Sequence, residues 1–422
     1  MDLLIKNGTV VLADDTRRLD ILVKDGVIAK IAPNINEAAA KVIDAAGLTV
    51  LPGFVDMHCH LREPGQESKE DITSGARAAL HGGFTAVCCM PNTTPVLDCA
   101  ALVRYVKDRG RESNYAKVYP IGAITKGQKG AELAEIGKMK MAGAVAFSDD
   151  GCPVDNGNVM FLALKYASGI DALIISHCED KNISDGGVVN DGLNATIAGL
   201  KGISRAAEEV QVARDIILAE TVGTRVHIAH VSTQNSVELI RQAKQRGAQV
   251  SCETCPHYFS ATDKEVLSYN PNAKINPPLR EDADVQAILR GLADGTIDAI
   301  ATDHAPHSAN EKNREFDLAP FGTVGFETAF ALAYTKLVQT GILTLPQLSR
   351  LMSANPAKLM GIGTGELKEG AAADIAIADL NPTYTVAADR LHSKSKNSLF
   401  IGWTLTGLIT HTIVDGVERE RW

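Results

Sequence analysis

The chain has 422 residues, of which 45% are hydrophobic and 22% are charged, and its formal net charge at pH 7 is −9. This balance is typical of a globular protein with one barrel-sized domain and a smaller unit, and it excludes a largely disordered chain. Phosphate binding needs clustered Lys and Arg, and no such run occurs, so we expect a small-molecule substrate and no nucleic-acid partner.

The N-terminal segment MDLLIKNGTVVLADD lacks a basic stretch followed by an apolar core and a cleavage site, and no apolar run reaches membrane-spanning length. These features predict a cytoplasmic protein with no membrane partner. The eight cysteines are therefore expected to be reduced. Cys252 and Cys255 form a C-x-x-C pair, but we expect strand-core thiols because no second pair or thioredoxin-like setting accompanies it.

The first fifty residues predict short alternating strands with turns at Asn7-Gly8 and Asp25-Gly26. From Pro52 onward an apolar strand, a polar loop and a helix-length segment alternate repeatedly. The predicted strands are GFVDMHCH, GGFTAVCCMPN, AKVYPIGAI, GAVAFSDDG, DALIISHCED, RVHIAHVS, AQVSCETCPH and IDAIATDHAPH. Eight buried parallel strands alternating with helices predict an α/β fold, the (β/α)8 TIM barrel.

After residue 363 the pattern returns to short strands, and the segment LITHTIVDGVERERW contains another Asp-Gly turn, at Asp415-Gly416. Both terminal segments therefore show the same pattern of short strands joined by tight turns. We predict that residues 1–51 and 364–422 together build a small β-sandwich domain, and that residues 52–363 form the barrel.

Polar residues that end apolar strands indicate the site, because the chemistry of such barrels lies at the carboxyl ends of the strands. His58 and His60 are two residues apart, so their imidazoles share one face of the first strand. The other strand-end candidates are Asp149, Asp150, His177, His230 and Asp303. Four imidazoles and several carboxylates at one rim can hold two divalent ions, with zinc as the first choice.

Each candidate alone has a simpler explanation. An isolated H-x-H pair is more often incidental, and His177 or His230 could be an ordinary hydrogen-bonded strand-end histidine. Their joint occurrence at the ends of five predicted strands favours the metal site. His227 is expected on the face opposite His230, whereas His257 could be either a partner of a metal ligand or a core residue. The histidines away from the strand ends, His81, His392 and His411, are not expected in the site.

A family resemblance rests on motifs that follow one another across the barrel: DMHCHLREPGQESKEDI, MPNTTP, FSDDG, SHCED, AHVST, CPHYF, INPPLR, ATDHAPH and PFGTVGFET. In these segments the chain resembles the type I dihydroorotases of the amidohydrolase superfamily. The resemblance implies reversible hydrolysis and cyclisation between (S)-dihydroorotate and N-carbamoyl-L-aspartate in UMP biosynthesis. A zinc-bound hydroxide would attack the ring, with Asp303 as general base and acid.

The resemblance also implies individual residue roles. One zinc ion would be held by His58, His60 and Asp303, and the other by His177 and His230, with Asp150 bridging the two. The substrate contacts implied are His60, Arg62, Asn92, Asn276, His307 and the Phe321–Gly322 backbone. A homodimer is implied as well, and association with aspartate carbamoyltransferase stays open.

Two rival functions follow from related proteins. Hydantoinases, dihydropyrimidinases and allantoinases use a carboxylated lysine as the bridging ligand, but no lysine lies between Gly143 and Gly151. A catalytically silent assembly partner of aspartate carbamoyltransferase would have lost ligands, and none is missing here. Two local alternatives also remain: Arg62 could pair with a loop glutamate instead of substrate, and residues 304–321 could be either a lid or a surface loop.

Overall fold

A computed structural model describes residues 2–419 of the chain, so Met1 and residues 420–422 of the predicted small domain lie outside the described residues. Within the described range the strands are β1 (Leu3–Val11), β2 (Thr16–Lys24), β3 (Val27–Ala32), β4 (Lys41–Asp44), β5 (Thr49–Pro52), β6 (Phe54–Cys59), β7 (Phe84–Cys89), β8 (Lys117–Pro120), β9 (Phe147–Ser148), β10 (Ile174–Ser176), β11 (Val189–Asn190), β12 (Gly202–Ile203), β13 (Val226–Ile228), β14 (Val250–Thr254), β15 (Ala299–Ile300), β16 (Ile375–Thr385), β17 (Thr404–Val414) and β18 (Val417–Glu418).

The α-helices of the same range are α1 (Ile72–His81), α2 (Ala100–Ser113), α3 (Ile136–Ala142), α4 (Gly157–Gly169), α5 (Lys181–Ser184), α6 (Leu193–Ala198), α7 (Ala206–Val222), α8 (Gln234–Gln245), α9 (Pro256–Ser260), α10 (Asp282–Ala293), α11 (Ala309–Lys312), α12 (Phe326–Ala333), α13 (Leu345–Ser349) and α14 (Asn355–Met360). Short 3₁₀ turns cover Lys126–Gln128, Asp263–Ser268, Pro271–Ala273 and Ala388–Arg390, and π-helical turns cover Tyr334–Val338 and Arg350–Ala354. None of these described helices is both long and apolar enough to cross a membrane.

Eight parallel strands form the barrel predicted from the sequence. Strands β6, β7 and β8 pair in parallel, as do β9, β10, β13, β14 and β15. Two single bridges join these sheets into a ring: Gly122 with Phe147 next to β8 and β9, and Cys59 with His304 between β6 and the end of β15. The predicted (β/α)8 barrel is therefore confirmed, and its carboxyl-terminal rim gathers the ends of all eight strands.

Both chain ends contribute to a second sheet. Its order is β18-β17-β16-β5-β1-β2-β3, and β4 pairs with β1. The N-terminal and C-terminal parts meet where β16 runs antiparallel to β5, with Ile375 opposite Pro52. These strands form one hydrogen-bonded sheet. That the sheet folds into the two layers of a β-sandwich stays a prediction.

Two of the three Asp-Gly and Asn-Gly turns lie where the sequence predicts them, because Asp25-Gly26 joins β2 to β3 and Asp415-Gly416 joins β17 to β18. The predicted turn at Asn7-Gly8 is wrong. Both residues lie inside β1, where the pairing with β2 shifts between Ile5 and Gly8 and Asn7 has a φ of 63°. A Cβ on Gly8 would come within 2.6 Å of Val50 Cγ2, so the pair allows a bulge and a close approach rather than a chain reversal.

Helices begin soon after the strand ends that carry the candidate residues. After β13 the chain turns at His230, and the Thr233 side chain accepts a hydrogen bond from the Ser236 backbone N–H to cap α8. After β6, Asp71 and Ser74 form a reciprocal capping box at the start of α1. These caps set where each strand-to-helix connection ends and thereby hold the rim residues between two fixed elements.

Candidate active site

A cavity of about 360 Å³ opens at the carboxyl-terminal rim of the barrel. The predicted site residues that line it are His60, Arg62, Asn92, Asp150, His177, His230, Asn276, Asp303, His307, Phe321 and Gly322. His58 lies beneath this lining and is fully buried. The structure thus gathers every predicted site residue in or directly under one cavity.

The first group of predicted ligands is His58, His60 and Asp150, whose ligand atoms lie close together. His58 Nε2 is 3.3 Å from Asp150 Oδ1, and His60 Nε2 is 3.5 Å from Asp150 Oδ2. Asp303 Oδ1 joins them at 3.0 Å from His60 Nε2 and 3.6 Å from His58 Nε2. The H-x-H pair therefore directs two imidazoles to one point, as the strand geometry predicts.

The second group is Asp150, His177 and His230. His177 Nδ1 lies 3.4 Å from Asp150 Oδ1, and His230 Nε2 lies 3.6 Å from the same oxygen. The two ring nitrogens are 2.8 Å apart. Asp150 belongs to both groups, which is the position expected of a bridging ligand.

The donor atoms of these groups fit divalent metal ions. His58 Nε2 and Asp150 Oδ1 are buried and have no hydrogen-bond partner among residues 2–419. Buried polar atoms are normally paired, and a cluster of unpaired imidazole and carboxylate atoms is what a metal ion would satisfy. The two clusters are therefore compatible with metal binding.

The backbone directs several of these side chains into the cavity by an unusual conformation. Arg62, His230 and Asp303 have φ angles of 62°, 34° and 45°. The left-handed region is costly for residues with a Cβ, by roughly 1–3 kcal/mol each, and such strain clusters at functional sites. Each of these residues lies beyond the end of its strand, and its own side chain lines the cavity.

His227 does not lie on the face opposite the site, so that prediction is wrong. Its neighbours Val226 and Ile228 pack in the apolar core, while His227 Nε2 lies 3.2 Å from Glu253 Oε2. The prediction counted alternation from His230, but β13 ends at Ile228 and His230 has left the strand conformation. Alternation within β13 therefore turns His227 towards the barrel interior.

Glu253 is a buried carboxylate that is absent from the predicted site residues. Its Oε1 lies 2.7 Å from His58 Nδ1, directly below the first ligand group. Burial raises the pKa of this carboxyl, but hydrogen bonds from His227 and His58 outweigh it and lower the pKa to about 2. A glutamate inside the predicted barrel strand that became β14 was a usable signal, because an unpaired charge is rarely buried.

Side chains outside the two ligand groups form hydrogen bonds with the ligand imidazoles. Asn92 Oδ1 lies 2.9 Å from His60 Nδ1, and Glu179 Oε2 lies 3.2 Å from His177 Nε2. Such contacts orient an imidazole and select its tautomer. Asp149 instead accepts hydrogen bonds from the Ile124 and Thr125 backbone N–H groups at 2.8 and 3.1 Å, so it holds the loop that follows β8.

His257 and the C-x-x-C cysteines lie in the core. His257 is buried in α9, its Nε2 has no hydrogen-bond partner among the described residues, and burial lowers its pKa to about 4. Cys252 and Cys255 are free thiols and fully buried, as predicted. Neither pattern adds a ligand to the two groups.

Arg62 is buried at the cavity wall without an acidic partner. Its Nε donates to the Pro306 carbonyl at 3.1 Å, and Nη2 lies 3.3 Å from His307 Nε2. No carboxylate among residues 2–419 comes within 4.0 Å of its guanidinium; Glu63 instead pairs with Arg109 at 2.9 Å. Burial lowers the pKa of Arg62 to about 10, so it stays charged at neutral pH.

The remaining predicted substrate contacts form hydrogen bonds with one another or with neighbouring loops. His307 Nε2 lies 2.8 Å from the Phe321 carbonyl oxygen, and the Gly322 N–H donates to the Lys274 carbonyl at 2.8 Å. Asn276 Nδ2 donates to Glu179 Oε2 at 2.9 Å. The cavity thus places a buried cation and several polar groups opposite the two ligand groups.

Comparison with known proteins gives three consistent findings. A family model described as "Dihydro-orotase-like" matches residues 47–236. The chain is 55% identical to a dihydroorotase of Acetivibrio thermocellus, over 99% of each chain, and 55% identical to a dihydroorotase of Pelotomaculum thermopropionicum, over 99% of this chain and 98% of that one. Among solved structures, an L-hydantoinase (dihydropyrimidinase) from Arthrobacter aurescens has a TM-score of 0.88 at 28% identity, with 99% of this chain and 95% of that chain covered.

The full-length identity to the dihydroorotases is far higher than the identity to the hydantoinase, which shares the barrel fold. The resemblance inferred from the strand-end motifs is therefore confirmed. The chain belongs to the dihydroorotase family of cyclic amidohydrolases.

Proposed function

We propose that this protein catalyses the reversible interconversion of (S)-dihydroorotate and N-carbamoyl-L-aspartate, the ring-forming reaction of UMP biosynthesis. The observation that carries the proposal is a single cavity that combines two ligand groups sharing Asp150 with a buried Arg62 that lacks an acidic partner. A buried guanidinium needs a counter-charge. The exocyclic carboxylate of dihydroorotate supplies one, whereas an uncharged cyclic amide does not.

The proposed cofactor is a pair of zinc ions. His58, His60 and Asp303 would hold one ion, His177 and His230 the other, and Asp150 would contact both. Divalent ions at these positions polarise an amide carbonyl and lower the pKa of water, so that an attacking nucleophile is available at neutral pH. The same donors also accept cobalt and manganese, and zinc is proposed because it suits mixed His and carboxylate ligands.

Arg62 binds the substrate carboxylate in this proposal. Its planar guanidinium can form two parallel hydrogen bonds to a carboxylate, a geometry that lysine cannot reproduce. Asn92, Asn276, His307 and the Phe321–Gly322 backbone line the same cavity and would contact the ring and the carboxylate. Together they would orient the scissile amide towards the ligand groups.

Asp303 moves the proton in this proposal. Burial raises the pKa of Asp303, but a hydrogen bond with His60 and the charge of His58 hold it well below the usual value. The carboxylate is therefore ionised at neutral pH. It takes a proton from the water that attacks the ring carbonyl and delivers it to the ring nitrogen as the C–N bond breaks. Ring closure runs through the same steps in reverse.

The proposal is tested by assaying purified protein on dihydroorotate, dihydrouracil, hydantoin and allantoin, with the metal content measured on the same sample. We expect turnover of dihydroorotate with about two metal ions per chain, the number that a shared two-metal site holds. Turnover of the uncharged rings alone would overturn the substrate assignment. Metal-loaded protein that turns over none of the four rings would overturn the proposed catalysis.

The rival functions find less support. A hydantoinase-like activity is suggested by the shared fold with the L-hydantoinase, but Asp150 stands at the shared ligand position and no lysine occurs between Gly143 and Gly151. A silent assembly partner would not need all six ligands. A homodimer and an association with aspartate carbamoyltransferase remain proposals. Size-exclusion chromatography with and without the carbamoyltransferase tests both.

A further inference from the structure

A hydrogen-bonded series of four side chains, three of them buried and Ser251 half-buried, runs beneath the cavity on three strands of the barrel. Ser251 Oγ lies 2.8 Å from His227 Nδ1, and His227 Nε2 lies 3.2 Å from Glu253 Oε2. Glu253 Oε1 lies 2.7 Å from His58 Nδ1. His227, Glu253 and His58 are all fully buried. This hydrogen-bonded series of side chains therefore links the barrel interior to the first ligand group.

Only one assignment of donors and acceptors satisfies all the hydrogen bonds in this series of side chains. An ionised carboxylate can only accept, so His58 Nδ1 and His227 Nε2 must both donate to Glu253. His227 Nδ1 then accepts from the Ser251 hydroxyl. No Lys or Arg of the described chain lies within 4.0 Å of Glu253, since its ion-pair contacts are these two imidazoles. The carboxylate thus depends on His58 and His227 for its compensation.

The hydrogen bond from His58 Nδ1 to Glu253 determines the state of the other ring nitrogen of His58, Nε2. With Nδ1 protonated, Nε2 carries the lone pair, and it is this atom that points to Asp150 and Asp303. A carboxylate that accepts from the distal N–H also makes an imidazole a stronger ligand. The matching contact of His60 Nδ1 is the neutral amide of Asn92, so among residues 2–419 Glu253 is the only carboxylate hydrogen-bonded to an Nδ1 atom of the H-x-H pair.

We propose that Glu253 is a positioning residue for the metal centre, which orients His58, selects its Nε2 lone pair and strengthens cation binding at the His58–His60–Asp303 position. The inference rests on the proposed function, because it presumes that this position binds a divalent cation. His227, which is itself held by the Ser251 hydroxyl, donates to the second oxygen of Glu253 and so restrains the carboxylate in its position against His58.

The test is a Glu253→Gln variant, which keeps the shape but places an amide NH₂ against one of the two imidazole N–H groups. We expect zinc affinity at one of the two sites to fall by about 10- to 100-fold, which is the usual loss when the outer hydrogen-bond partner of a metal ligand is removed. Affinity is measured by titrating the metal-free protein with zinc against a chromogenic chelator. The matched control is Asp56→Asn, a buried carboxylate that accepts from Thr302 and the His58 backbone and contacts no imidazole.

The outcomes separate the inference from the proposed function. Wild-type protein that binds no zinc would overturn the metal centre itself. Wild-type and Glu253→Gln proteins that bind two zinc ions with equal affinity would overturn the inference alone. Equal weakening in Glu253→Gln and Asp56→Asn would also overturn it, because the effect would then belong to any buried carboxylate of the barrel.

A second measurement needs no variant and therefore does not depend on Glu253→Gln folding. In ¹⁵N-histidine-labelled, metal-free wild-type protein, we expect the His58 signal to show a protonated Nδ1. An Nδ1 without a proton would contradict the hydrogen bond to Glu253 and overturn the proposal.

Discussion

At the scale of single residues, we propose that Arg62 determines the specificity of the site. It is a buried cation that donates to the Pro306 carbonyl and lies 3.3 Å from His307 Nε2. Burial and the positive charge of Arg62 lower the pKa of His307 to about 2, so this imidazole is uncharged. Removing one partner of a buried, hydrogen-bonded charge pair costs about 2–5 kcal/mol. Asp303 and Asp150 act on Arg62 only through their charges and form no ion pair with it, so in the proposed function the substrate carboxylate supplies the direct partner.

We predict that Arg62→Ala lowers kcat/KM for dihydroorotate by roughly 10²–10³-fold and leaves the zinc content unchanged. The loss on dihydrouracil should be much smaller, since that ring has no carboxylate. Arg62→Lys should recover only part of the activity, because an ammonium cannot form the paired hydrogen bonds. Arg241→Ala, at a half-exposed ion pair on α8, serves as the control. Equal losses on the charged and uncharged rings would contradict the assignment.

The residues that the sequence predicted and those that it missed differ in a physical way. His60, His177 and Asp303 each end an apolar run, and a barrel brings all strand ends to one rim, so their convergence could be predicted. Glu253 and His227 lie within strands, and the contacts of Glu253 with His58 and His227 depend on which inward faces meet across the barrel. Strand alternation alone could not supply that information, because positive φ angles at the rim interrupt it.

At the scale of elements, the connection from residue 304 to residue 321 is held down by two lysines. Lys312, at the end of α11, donates to the Pro271 and Pro320 carbonyls at 2.9 and 2.8 Å and is buried. Lys274 donates to the Asp317 carbonyl at 2.8 Å, and its ammonium lies 4.7 Å from the centre of the Phe321 ring. The segment therefore packs against residues 271–274 beside the cavity. Its role as a lid stays a prediction.

Burial lowers the pKa of Lys312 to about 7, so its hydrogen bonds are not those of a fully charged donor. We predict that Lys312→Met raises KM for dihydroorotate by about tenfold, because each of its two hydrogen bonds contributes roughly 0.5–1.5 kcal/mol and one of them holds Pro320, the residue before Phe321. Protease cleavage within residues 304–321 should become faster. Lys264→Met, at an exposed pair with Asp282, is the matched control. Unchanged kinetics together with faster cleavage would show that the segment is a surface loop and not a lid.

At the scale of the whole molecule, the two chain ends meet on one side of the barrel. We propose that residues 1–51 and 364–422 form one unit, because β5 and β16 are hydrogen-bonded neighbours in a single sheet. Lys117 of barrel strand β8 lies 2.8 Å from Asp374 and 2.6 Å from Asp415. The boundaries at residues 51 and 364 stay a prediction. The bulge at Asn7-Gly8 was not predictable, because Asn-Gly favours both a hairpin turn and a strand bulge.

The barrel itself closes at a narrow seam that the candidate site spans. Between β15 and β6 the backbone forms one isolated bridge, from Cys59 to His304, while the side chains of His60 and Asp303 meet directly across it. These two residues are 243 positions apart in the chain. A metal ion held by His58, His60 and Asp303 would therefore join the first and last barrel strands and constrain the closure of a long loop.

We predict that removing metal with a chelator lowers the melting temperature by roughly 5 °C or more, because a ligand present at 100 times its Kd stabilises the folded state by about 2.7 kcal/mol. Amide hydrogen exchange at residues 58–60 and 302–304 should rise more than in the small sheet, since a metal ion held by His58, His60 and Asp303 would bridge that seam. Adding zinc should restore both the melting temperature and the slow exchange. In Asp150→Asn, the metal-loaded and metal-free proteins should differ less in both properties. Identical melting and exchange with and without chelator would mean that the ion does not join the seam, and the barrel would then close through its backbone and packing alone.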